Sequence, residues 1–383
     1  MHIVRFTVSL TFCLCLGVAH AAITVGTCNS DKHPYTTISA AISAAPAGSV
    51  INVCPGTYPE QLTIVKPLTI NGVVIPNQPG ATVTGPATGA IAIPGTTNVW
   101  TQILVNNAGG PVNLNNLSIA ADSVKLLFSG YQEPLLGSTS LFCEDEIIGD
   151  FSGIRYENTS GKLTHLSLTG QGVSEKSPGP GSSGPQYVPN CGSGIEISGG
   201  DVTVDSSSVG SAGVYGIAGS SSITHSIVNA FGPYSVGIAG AGKVEDNTIT
   251  LDGSTETVGI ASGDLVRGNV VQGAATGITG AREAKHNTLI NNFVGLSGST
   301  PSDNLISAEP TYIDPLCENP IEPTPSCIVR TIGIDASCGS GDMGKDNGIV
   351  NVGIGIANVP IGETFSATNL FAGVGSTSTT CSQ

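Results

Sequence analysis

Short apolar runs, each introduced by a glycine, recur along the second half of the chain. The Gly-Ile or Gly-Leu pair that opens each run returns at steps of 22, 21, 22, 18 and 18 residues. A period of about twenty residues is too short for a succession of β-hairpins, and it is typical of a solenoid whose strands pair with their equivalents one turn on. The pairs begin at Gly194, Gly216, Gly237, Gly259, Gly277 and Gly295.

A second apolar run follows each of these pairs, and its fourth position holds a short polar side chain. Parallel strands stacked at about 4.8 Å would bring these side chains into one column. An inward amide at a bend can bond backbone groups and the amides above and below it, and asparagine tolerates the left-handed conformation that a bend needs. The sequence therefore predicts an internal ladder of Ser207, Ser226, Asn247, Asn269, Asn287 and Asn304.

Near the N terminus the apolar spacing changes to that of a helix. Thr36 or Thr37 can cap such a helix at its start, and Pro46 ends it. A solenoid needs its open end covered, so we expect the apolar face of this helix to close the first coil. That face consists of Ile38, Ala41, Ile42 and Ala45.

The stretch YTTISAAISAAPAGSVINVCPGTYPEQLTIVKPLTING, residues 35–72, is similar to the N-terminal segment of pectin methylesterases and of uncharacterised secreted β-helix repeat proteins. Residues 35–306 as a whole resemble the right-handed parallel β-helix proteins of the pectin-lyase-like superfamily. The resemblance implies an all-β fold, a right-handed parallel β-helix with coils of about 18–22 residues. It also implies an N-terminal capping helix, and the C-terminal region is expected to form a Cys- and Pro-rich cap.

This interpretation divides the chain into three parts. Residues 1–21 are typical of a secretory signal peptide, because a basic residue, an apolar run and a small-residue site follow one another. Residues 22–306 are expected to form the β-helix, with loop insertions near 122–151 and 171–191, and residues 307–383 a disulfide-containing cap or tail. The leader predicts a secreted protein, located in the extracellular space, in the periplasm or at the cell surface.

Charge narrows the range of partners. The chain has 13 Lys and Arg against 28 Asp and Glu, a formal net charge of −15. A surface of this sign repels nucleic acid, and an anionic polysaccharide would need a local basic patch or a bridging cation. Outside the leader, no stretch is apolar for long enough to span a bilayer. We therefore expect a monomer that contacts polysaccharide, and neither nucleic acid nor membrane.

Eight cysteines remain once the leader is set aside. An even number in an exported chain, with no Cys-x-x-Cys spacing, favours disulfides over a metal site, and the sequence indicates no cofactor. Spacing alone does not fix the connectivity. The pairs that would each staple a terminus or a loop are Cys28–Cys54, Cys143–Cys191, Cys317–Cys327 and Cys338–Cys381.

The most specific chemical pattern is FSGYQEPLLGSTSLFCEDEIIGDFSG, residues 128–153. It resembles the catalytic block of pectin methylesterases, in which GYQDTLY precedes GxxDFIFG. The resemblance implies that Gln132 stabilises the oxyanion, Glu133 is the general acid and Asp150 is the nucleophile, which is the set that ester hydrolysis by two carboxylates needs. The sequence departs from the family pattern, because Glu133 and Asp150 are only 17 positions apart and the later LGRPW block is absent. A chance match in an acidic loop is the alternative.

A polysaccharide lyase is a further enzymatic alternative in the same loop. Lyases need acidic residues clustered around calcium and an Arg or Lys as base. Residues 144–146 and Asp150 could supply the acids and Arg155 the base. Consecutive acids cannot all face one ion, however, so a solvated acidic loop is the simpler interpretation.

Two polar columns cross the repeats. Glu245, Arg267 and Lys285 align one coil apart and predict an exposed ion-pair ladder. The adjacent column is either a shallow sugar-binding strip or a row of solvated turn residues. It contains His225, Asp246, Gly268, His286 and Asp303, and the substrate-binding candidates of the whole chain are Arg155, His225, Asp246 and His286.

These observations favour a secreted β-helix protein that associates with extracellular or cell-wall polysaccharide and has no complete catalytic site. One alternative is a pectin-methylesterase-like ester hydrolase that uses Gln132, Glu133 and Asp150. Another is a structural surface protein or adhesin. The sequence leaves open whether the protein is an enzyme at all.

Overall fold

The chain folds into stacked coils of short parallel strands. The structure is a computed structural model. It describes residues 23–28, 34–85, 99–120, 150–170, 173–176, 186–189, 192–232, 234–253, 256–313, 328–336, 344–359 and 368–381.

The first half of the described chain contains one helix and seventeen strands. They are β1 (Ile23–Val25), α1 (Ile38–Ala44), β2 (Ser49–Val53), β3 (Gly56–Pro59), β4 (Leu62–Ile64), β5 (Leu68–Gly72), β6 (Ala81–Thr84), β7 (Val99–Asn106), β8 (Val112–Asn115), β9 (Leu117–Ala120), β10 (Asp150–Glu157), β11 (Gly161–Thr164), β12 (Ser167–Thr169), β13 (Val173–Lys176), β14 (Gln186–Pro189), β15 (Gly192–Ser198), β16 (Val202–Asp205) and β17 (Ser208–Ala212).

In the second half of the described chain, all the regular elements are strands. They are β18 (Tyr215–Ala218), β19 (Ser222–Thr224), β20 (Ile227–Ala230), β21 (Val236–Glu245), β22 (Thr248–Leu251), β23 (Val258–Arg267), β24 (Val270–Gln272), β25 (Thr276–Lys285), β26 (Thr288–Ile290), β27 (Val294–Ser297), β28 (Pro301–Ser302), β29 (Leu305–Ser307), β30 (Thr311–Ile313), β31 (Ile328–Arg330), β32 (Ile332–Asp335), β33 (Gly348–Val350), β34 (Ile354–Val359), β35 (Leu370–Ala372) and β36 (Ser376–Thr380).

Two parallel sheets run the length of the molecule, and each strand pairs with its equivalent in the next coil. The larger sheet has 20 strands and the smaller sheet has 12. The larger sheet forms two sides of each coil, because a long strand such as β21 pairs with β18 through its first half and with β19 through its second. The smaller sheet forms the third side. The molecule is therefore a right-handed parallel β-helix, as the sequence predicted.

The core is the interior of the coils, where successive coils stack the same apolar position. Ile238, Ile260 and Ile278 are fully buried and pair in register along one side. Val244 and Val266 do the same on the second side, and sheet residues of the third side complete each layer. This one-dimensional stacking means that each coil is stabilised mainly by its two neighbours.

The glycine of each Gly-Ile pair allows the coil to close tightly. A Cβ added to Gly259 would lie 2.2 Å from Cγ1 of Val271, on the opposite sheet, and 2.5 Å from the carbonyl oxygen of Gly277, one coil on. No side chain fits at those distances, so the position accepts glycine alone. An added Cβ would meet a carbonyl oxygen of the next coil within 2.8 Å at Gly194, Gly216, Gly237, Gly259, Gly277, Gly295, Gly333 and Gly355.

The predicted asparagine ladder is present and buried. The side-chain amide of Asn269 donates to Asn287 Oδ1 at 3.0 Å and to the carbonyl oxygens of Val244 at 2.8 Å and Arg267 at 3.0 Å. Its own Oδ1 accepts from the backbone and side-chain nitrogens of Asn247, both at 3.0 Å. Each amide thus satisfies buried groups in adjacent coils. The ladder runs through Ser207, Ser226, Asn247, Asn269, Asn287, Asn304, Asn347 and Asn369.

Helix α1 lies where the sequence placed it. Thr37 is the N-cap, and its side chain accepts a hydrogen bond from the backbone nitrogen of Ala40. Glu60 also accepts from the backbone nitrogens of Ile38 and Ser39, at 2.8 and 2.9 Å. The apolar side of the helix is buried in the same core as the first coils, so the helix is anchored to the solenoid.

The coils extend further than the sequence boundary at residue 306. Strands β32, β34 and β36 continue the larger sheet in parallel register after β27, and β33 and β35 continue the smaller sheet after β29. The described part of residues 307–383 is therefore mostly solenoid, and the expectation of a separate cap is corrected for that part. The reason is physical, since Gly333, Gly355, Asn347 and Asn369 repeat the two internal columns.

One predicted disulfide is present within the described residues. Cys28 and Cys54 are bonded, with their Cα atoms 5.4 Å apart, and they join the segment after β1 to the end of β2. Cys381 is also disulfide-bonded. The other cysteines of the predicted pairs, Cys143, Cys191, Cys317, Cys327 and Cys338, lie outside the described residues, as does the predicted signal peptide. In the part of the chain that the structure describes, no helix is both long and apolar enough to cross a membrane.

Candidate functional site

The predicted ester-hydrolase residues fall mostly outside the described chain. Gln132 and Glu133 lie in the segment 121–149, which the structure does not describe. Asp150 is the first residue of β10, where its backbone pairs with Val99, but its side chain is not described. The catalytic trio remains a prediction from the sequence.

Arg155 is held between two carboxylates on the first side of the solenoid. Its Nε lies 3.0 Å from Glu157 Oε1 on the same strand, and one terminal nitrogen lies 3.0 Å from Glu196 Oε2 on the next coil. Arg155 and Glu196 occupy equivalent positions in β10 and β15. The guanidinium group therefore ties adjacent coils together, and the Arg155 side chain is only 22% exposed.

His225, Asp246 and His286 share a corner of the coils, as the repeat alignment predicted. All three have left-handed backbone conformations, with φ of 49°, 56° and 54°. This corner separates the second side of the solenoid from the third, and the backbone nitrogen at each corner residue donates to a carbonyl one coil on. All three side chains are exposed to solvent. The structure thus aligns them, with His286 two coils beyond Asp246.

One polar pair is organised at this corner. His225 Nδ1 lies 2.9 Å from Asp205 Oδ1, and Thr224 also donates to that carboxylate. The hydrogen bonds from Thr224 and His225 lower the pKa of Asp205, and the hydrogen bond to Asp205 raises the pKa of His225. Both side chains are therefore charged over much of the mildly acidic pH range, and they form a solvent-exposed ion pair.

The second side of the solenoid carries charges of both signs. Glu245, Arg267 and Lys285 stand in register on β21, β23 and β25, which confirms the alignment of the predicted column. Lys285 Nζ lies 2.7 Å from Glu283 Oε2 on its own strand, and this hydrogen bond lowers the pKa of Glu283. The ammonium group of Lys285 is thus paired with a carboxylate of its own strand.

A groove follows the corner between the first and second sides. It has a volume of about 830 Å³ and is lined by residues 240–242, 262–264, 280–282 and 298–300, from four successive coils. Its floor is concave because the corner residues of these coils carry either no side chain or a hydroxymethyl group. These residues are Gly240, Ser262, Gly280 and Gly298, and all have left-handed φ between 56° and 65°.

The groove opens onto the charged second side of the solenoid. A second depression of about 520 Å³ shares Gly242, Asp264 and Arg282 with the first, and extends to Lys243 and Glu283. Arg282 Nε lies 3.6 Å from Asp264 Oδ1, and both side chains are more than 70% exposed. We call the two depressions together the charged groove. The part of the chain that the structure describes contains no cluster of three or more side chains suited to hold a metal ion.

Sequence reasoning did not single out the charged groove. Its charged residues belong to no motif, and only a small residue two positions after each buried Ile or Leu marks its floor. These charged residues are Asp201, Lys243, Asp264, Arg282 and Glu283. That signal is present in the segments IAG, IAS, ITG and LSG. It indicates a recurring tight corner, but spacing alone does not show that the corner is concave.

Comparisons with known proteins assign no activity to this chain. A family model described as "Protein of unknown function (DUF1565)" matches residues 25–124. No curated protein matches the chain. Parallel pairing through both long sheets decides the architecture. The chain is a parallel β-helix protein.

The solved structures to which this β-helix chain is similar include a biosidase, an adhesin and an esterase. The GH136 lacto-N-biosidase from Eubacterium ramulus is 10% identical, with 90% of this chain and 65% of that chain covered and a TM-score of 0.44. PfbA, a surface adhesin of Streptococcus pneumoniae, is 10% identical, with 93% and 92% covered and a TM-score of 0.42. Pectin methylesterase PemA from Erwinia chrysanthemi is 12% identical, with 92% and 93% covered and a TM-score of 0.30. The chain thus spans about two thirds of the length of the biosidase, and likeness of this degree carries no inference about activity.

Proposed function

We propose that the protein is secreted and binds a polysaccharide along the charged groove without chemically modifying it. The observation that carries this proposal is the groove itself, which crosses four coils and is floored by residues that lack bulky side chains. Coils stack at about 4.8 Å, so four of them span about 14 Å between the first and the last. An open groove of that length suits several consecutive units of an extended chain.

The side chains that border the groove match the hydrogen-bonding needs of sugars. A sugar hydroxyl both donates and accepts, so it is served by carboxylates, cations and hydroxyls placed close together. Asp264 and Arg282 place a negative and a positive charge over the floor of the groove, and Ser262 adds a hydroxyl there. Lys243 and Glu283 place a charge of each sign on the second side. Three acids and two cations line the groove, namely Asp201, Asp264, Glu283, Lys243 and Arg282. Because acids outnumber cations, the groove suits a neutral or sparsely charged glycan better than a densely anionic one.

A location outside the cytoplasm fits this proposal. The leader-like residues 1–21 predict export, and the Cys28–Cys54 bond is of the kind that persists in oxidising compartments. An exported protein with an open polar groove would meet extracellular or cell-wall polysaccharide directly.

Binding to a panel of soluble polysaccharides, measured by affinity electrophoresis and calorimetry, tests the proposal. For the polymer that the wild type retains, the double substitution Lys243→Ala/Arg282→Ala is expected to weaken binding by about tenfold or more, because two charged hydrogen-bonding groups are lost. The matched control is Lys162→Ala. Lys162 stands in the same outward column as Lys243 but three coils earlier, outside the groove.

The control is expected to bind as tightly as the wild type. Equal weakening of polysaccharide binding by Lys162→Ala and Lys243→Ala/Arg282→Ala would show non-specific charge attraction and would contradict binding at the charged groove. Absence of retention on every neutral and charged polymer would refute polysaccharide binding altogether.

Ester hydrolysis by Gln132, Glu133 and Asp150 is the enzymatic alternative, and the same samples test it. The proposal expects no methanol release from methylated pectin above the level of a Glu133→Ala/Asp150→Ala double variant. Release by the wild type that the double variant loses would replace the binding proposal with the esterase.

A further inference from the structure

Exposed aromatic side chains gather at one corner of the solenoid. Tyr215, Phe231 and Tyr234 are 36%, 43% and 48% exposed, and no other aromatic residue whose side chain the structure describes is exposed to that degree. Tyr215 opens β18, and Phe231 and Tyr234 lie between β20 and β21. All three therefore stand where the third side of the solenoid turns into the first, in two adjacent coils. We call these three residues the aromatic corner.

Backbone hydrogen bonds hold the aromatic corner in shape. The backbone nitrogen of Gly232 donates to Asp252 Oδ2 of the next coil at 2.9 Å. The backbone nitrogen of Val236 donates to the carbonyl oxygen of Val214, the residue before Tyr215, at 2.7 Å. These bonds fix the backbone that carries the rings before a ligand arrives, which lowers the entropic cost of binding.

Tyr234 occupies a backbone conformation that does not suit a bulky residue. Its φ of 64° lies in the left-handed region, which glycine and asparagine adopt far more readily. At the other left-handed positions of the described chain, the residue is glycine, asparagine, aspartate, glutamate, serine or histidine. A tyrosine that is both strained and exposed contributes little to the core, so contact with a ligand is the better explanation for its side chain.

The size of the exposed aromatic surface favours a small ligand over a protein. An aromatic side chain has a surface of about 200 Å², so the three exposed fractions together amount to about 250 Å². A stable protein interface buries about 800 Å² on each partner. The aromatic corner is too small for such an interface, and it matches the apolar C–H faces of one or two pyranose rings.

The charges around the aromatic corner favour a neutral sugar. Residues 208–238 contain no Lys or Arg, and Asp252 places a carboxylate beside Gly232. An anionic sugar would meet repulsion there and no cation. Tyrosine provides an apolar ring with a hydroxyl at its rim, which suits a ligand that is apolar on its faces and polar on its edges.

We propose that the aromatic corner is a second carbohydrate site, which stacks against the apolar face of one or two neutral pyranose units. The inference does not depend on the charged groove, which follows the other edge of the first side. The two sites can therefore be tested separately.

Saturation-transfer NMR with neutral disaccharides tests the aromatic corner. The probes are cellobiose, mannobiose and chitobiose, which are too short to span the four coils of the charged groove, and digalacturonate is the anionic comparison. Irradiation of the aromatic protein protons is expected to saturate the C–H protons of at least one neutral disaccharide. Digalacturonate is expected to receive no saturation.

Three variants change the stacking surface. Tyr215→Ala/Phe231→Ala is expected to raise the dissociation constant of the bound disaccharide by about tenfold or more, because two rings are lost. Tyr215→Phe keeps the ring, so its dissociation constant is expected to stay within about threefold of the wild type. Tyr234→Gly removes a ring but relieves the left-handed φ, so we expect weaker binding with a thermal unfolding temperature no lower than that of the wild type.

Two controls change other surfaces. Leu370→Ala removes apolar surface from a residue that is 73% exposed, on strand β35 of the third side, six coils beyond β20. Lys243→Ala/Arg282→Ala impairs the charged groove alone. Both variants are expected to bind the disaccharide as tightly as the wild type does. Circular dichroism shows whether each variant is folded.

Failure of every neutral disaccharide to receive saturation would overturn the proposal. Binding that survives Tyr215→Ala/Phe231→Ala, that Leu370→Ala weakens equally, or that digalacturonate matches would also overturn it. Loss of disaccharide binding in Lys243→Ala/Arg282→Ala would assign the sugar to the charged groove instead. Self-association of the wild type in sedimentation velocity, abolished by Tyr215→Ala/Phe231→Ala, would assign the aromatic corner to a protein contact.

Discussion

Asn269 illustrates how one side chain joins three coils. It is fully buried, donates to carbonyl oxygens within its own coil and the preceding one, and exchanges amide hydrogen bonds with Asn247 and Asn287. Asn269→Ala would leave these buried groups unpaired, so we expect the free energy of unfolding to fall by about 2–4 kcal/mol. Chemical denaturation followed by circular dichroism measures this change.

Serine and surface asparagine provide the controls for that prediction. Asn269→Ser is expected to cost less than Asn269→Ala, because Ser226 already serves in the same ladder and accepts from the backbone nitrogen of Ser207. Asn229→Ala, at an outward position of β20, is expected to be nearly neutral. Equal losses from Asn269→Ala and Asn229→Ala would contradict the ladder as a stabilising element.

The His225–Asp205 pair has shifted pKa values on both partners. Since the hydrogen bond to Asp205 raises the pKa of His225 above its ordinary value of 6.5, the stability from this group is fully present below pH 6.5 and is lost as pH rises through the raised pKa. The lowered pKa of Asp205 acts in the opposite sense, and its contribution is present above its ordinary value of 3.8 and lost as pH falls through the lowered pKa. The pair is therefore strongest between these limits.

An NMR titration of the histidine ring protons measures this directly. We expect the midpoint of His225 to lie above 6.5 in the wild type and to fall towards 6.5 in Asp205→Asn, which removes the carboxylate. An unchanged midpoint in Asp205→Asn would show that the 2.9 Å contact does not persist in solution.

At the scale of the strand, the glycine that precedes each buried Ile is a strict requirement. Gly259→Ala would force a methyl group against Val271 and against the carbonyl of Gly277, at 2.2 and 2.5 Å. We expect it to destabilise the protein by about 3 kcal/mol or more, or to prevent folding, because the backbone of the next coil would have to move. Thermal unfolding measures the loss.

Gly80 is the matched control at this scale. An added Cβ there meets no atom within 4 Å, and its φ is not in the left-handed region. Gly80→Ala is therefore expected to be neutral or slightly stabilising, as it restricts the unfolded chain. Equal destabilisation by both alanines would show that the effect comes from chain flexibility and not from contact between coils.

Repeated elements explain both the success and the limit of sequence reasoning. The Gly-Ile pairs and the Asn column predicted the parallel coils correctly, because each of these positions meets a specific steric or hydrogen-bonding requirement of the coil. The same two signals continue at Gly333, Gly355, Asn347 and Asn369, where the longer connections between repeats concealed them. The end of the solenoid was therefore placed too early.

At the scale of the whole molecule, the sites were less accessible to sequence than the fold. The sequence aligned the corner column of His225, Asp246 and His286 correctly, because these residues recur with the backbone repeat. The charged groove, by contrast, depends on the depth of the corner at Gly240 and Gly280, which the sequence does not show. The ester-hydrolase residues Gln132 and Glu133 remain a sequence prediction outside the described residues.

The distribution of charge gives the solenoid three different sides. The first side holds Arg155 between carboxylates, the second carries the charged groove, and the third is uncharged.

Hydrogen–deuterium exchange with and without the retained polysaccharide tests the central claim most directly. Because the glycan would cover the charged groove, we predict slower exchange in residues 240–246, 262–268 and 280–286, and unchanged exchange in the uncharged strands β9 and β12 at the same protein concentration. Unchanged exchange in all three groove segments, or protection confined to residues 122–151, would contradict binding at the charged groove.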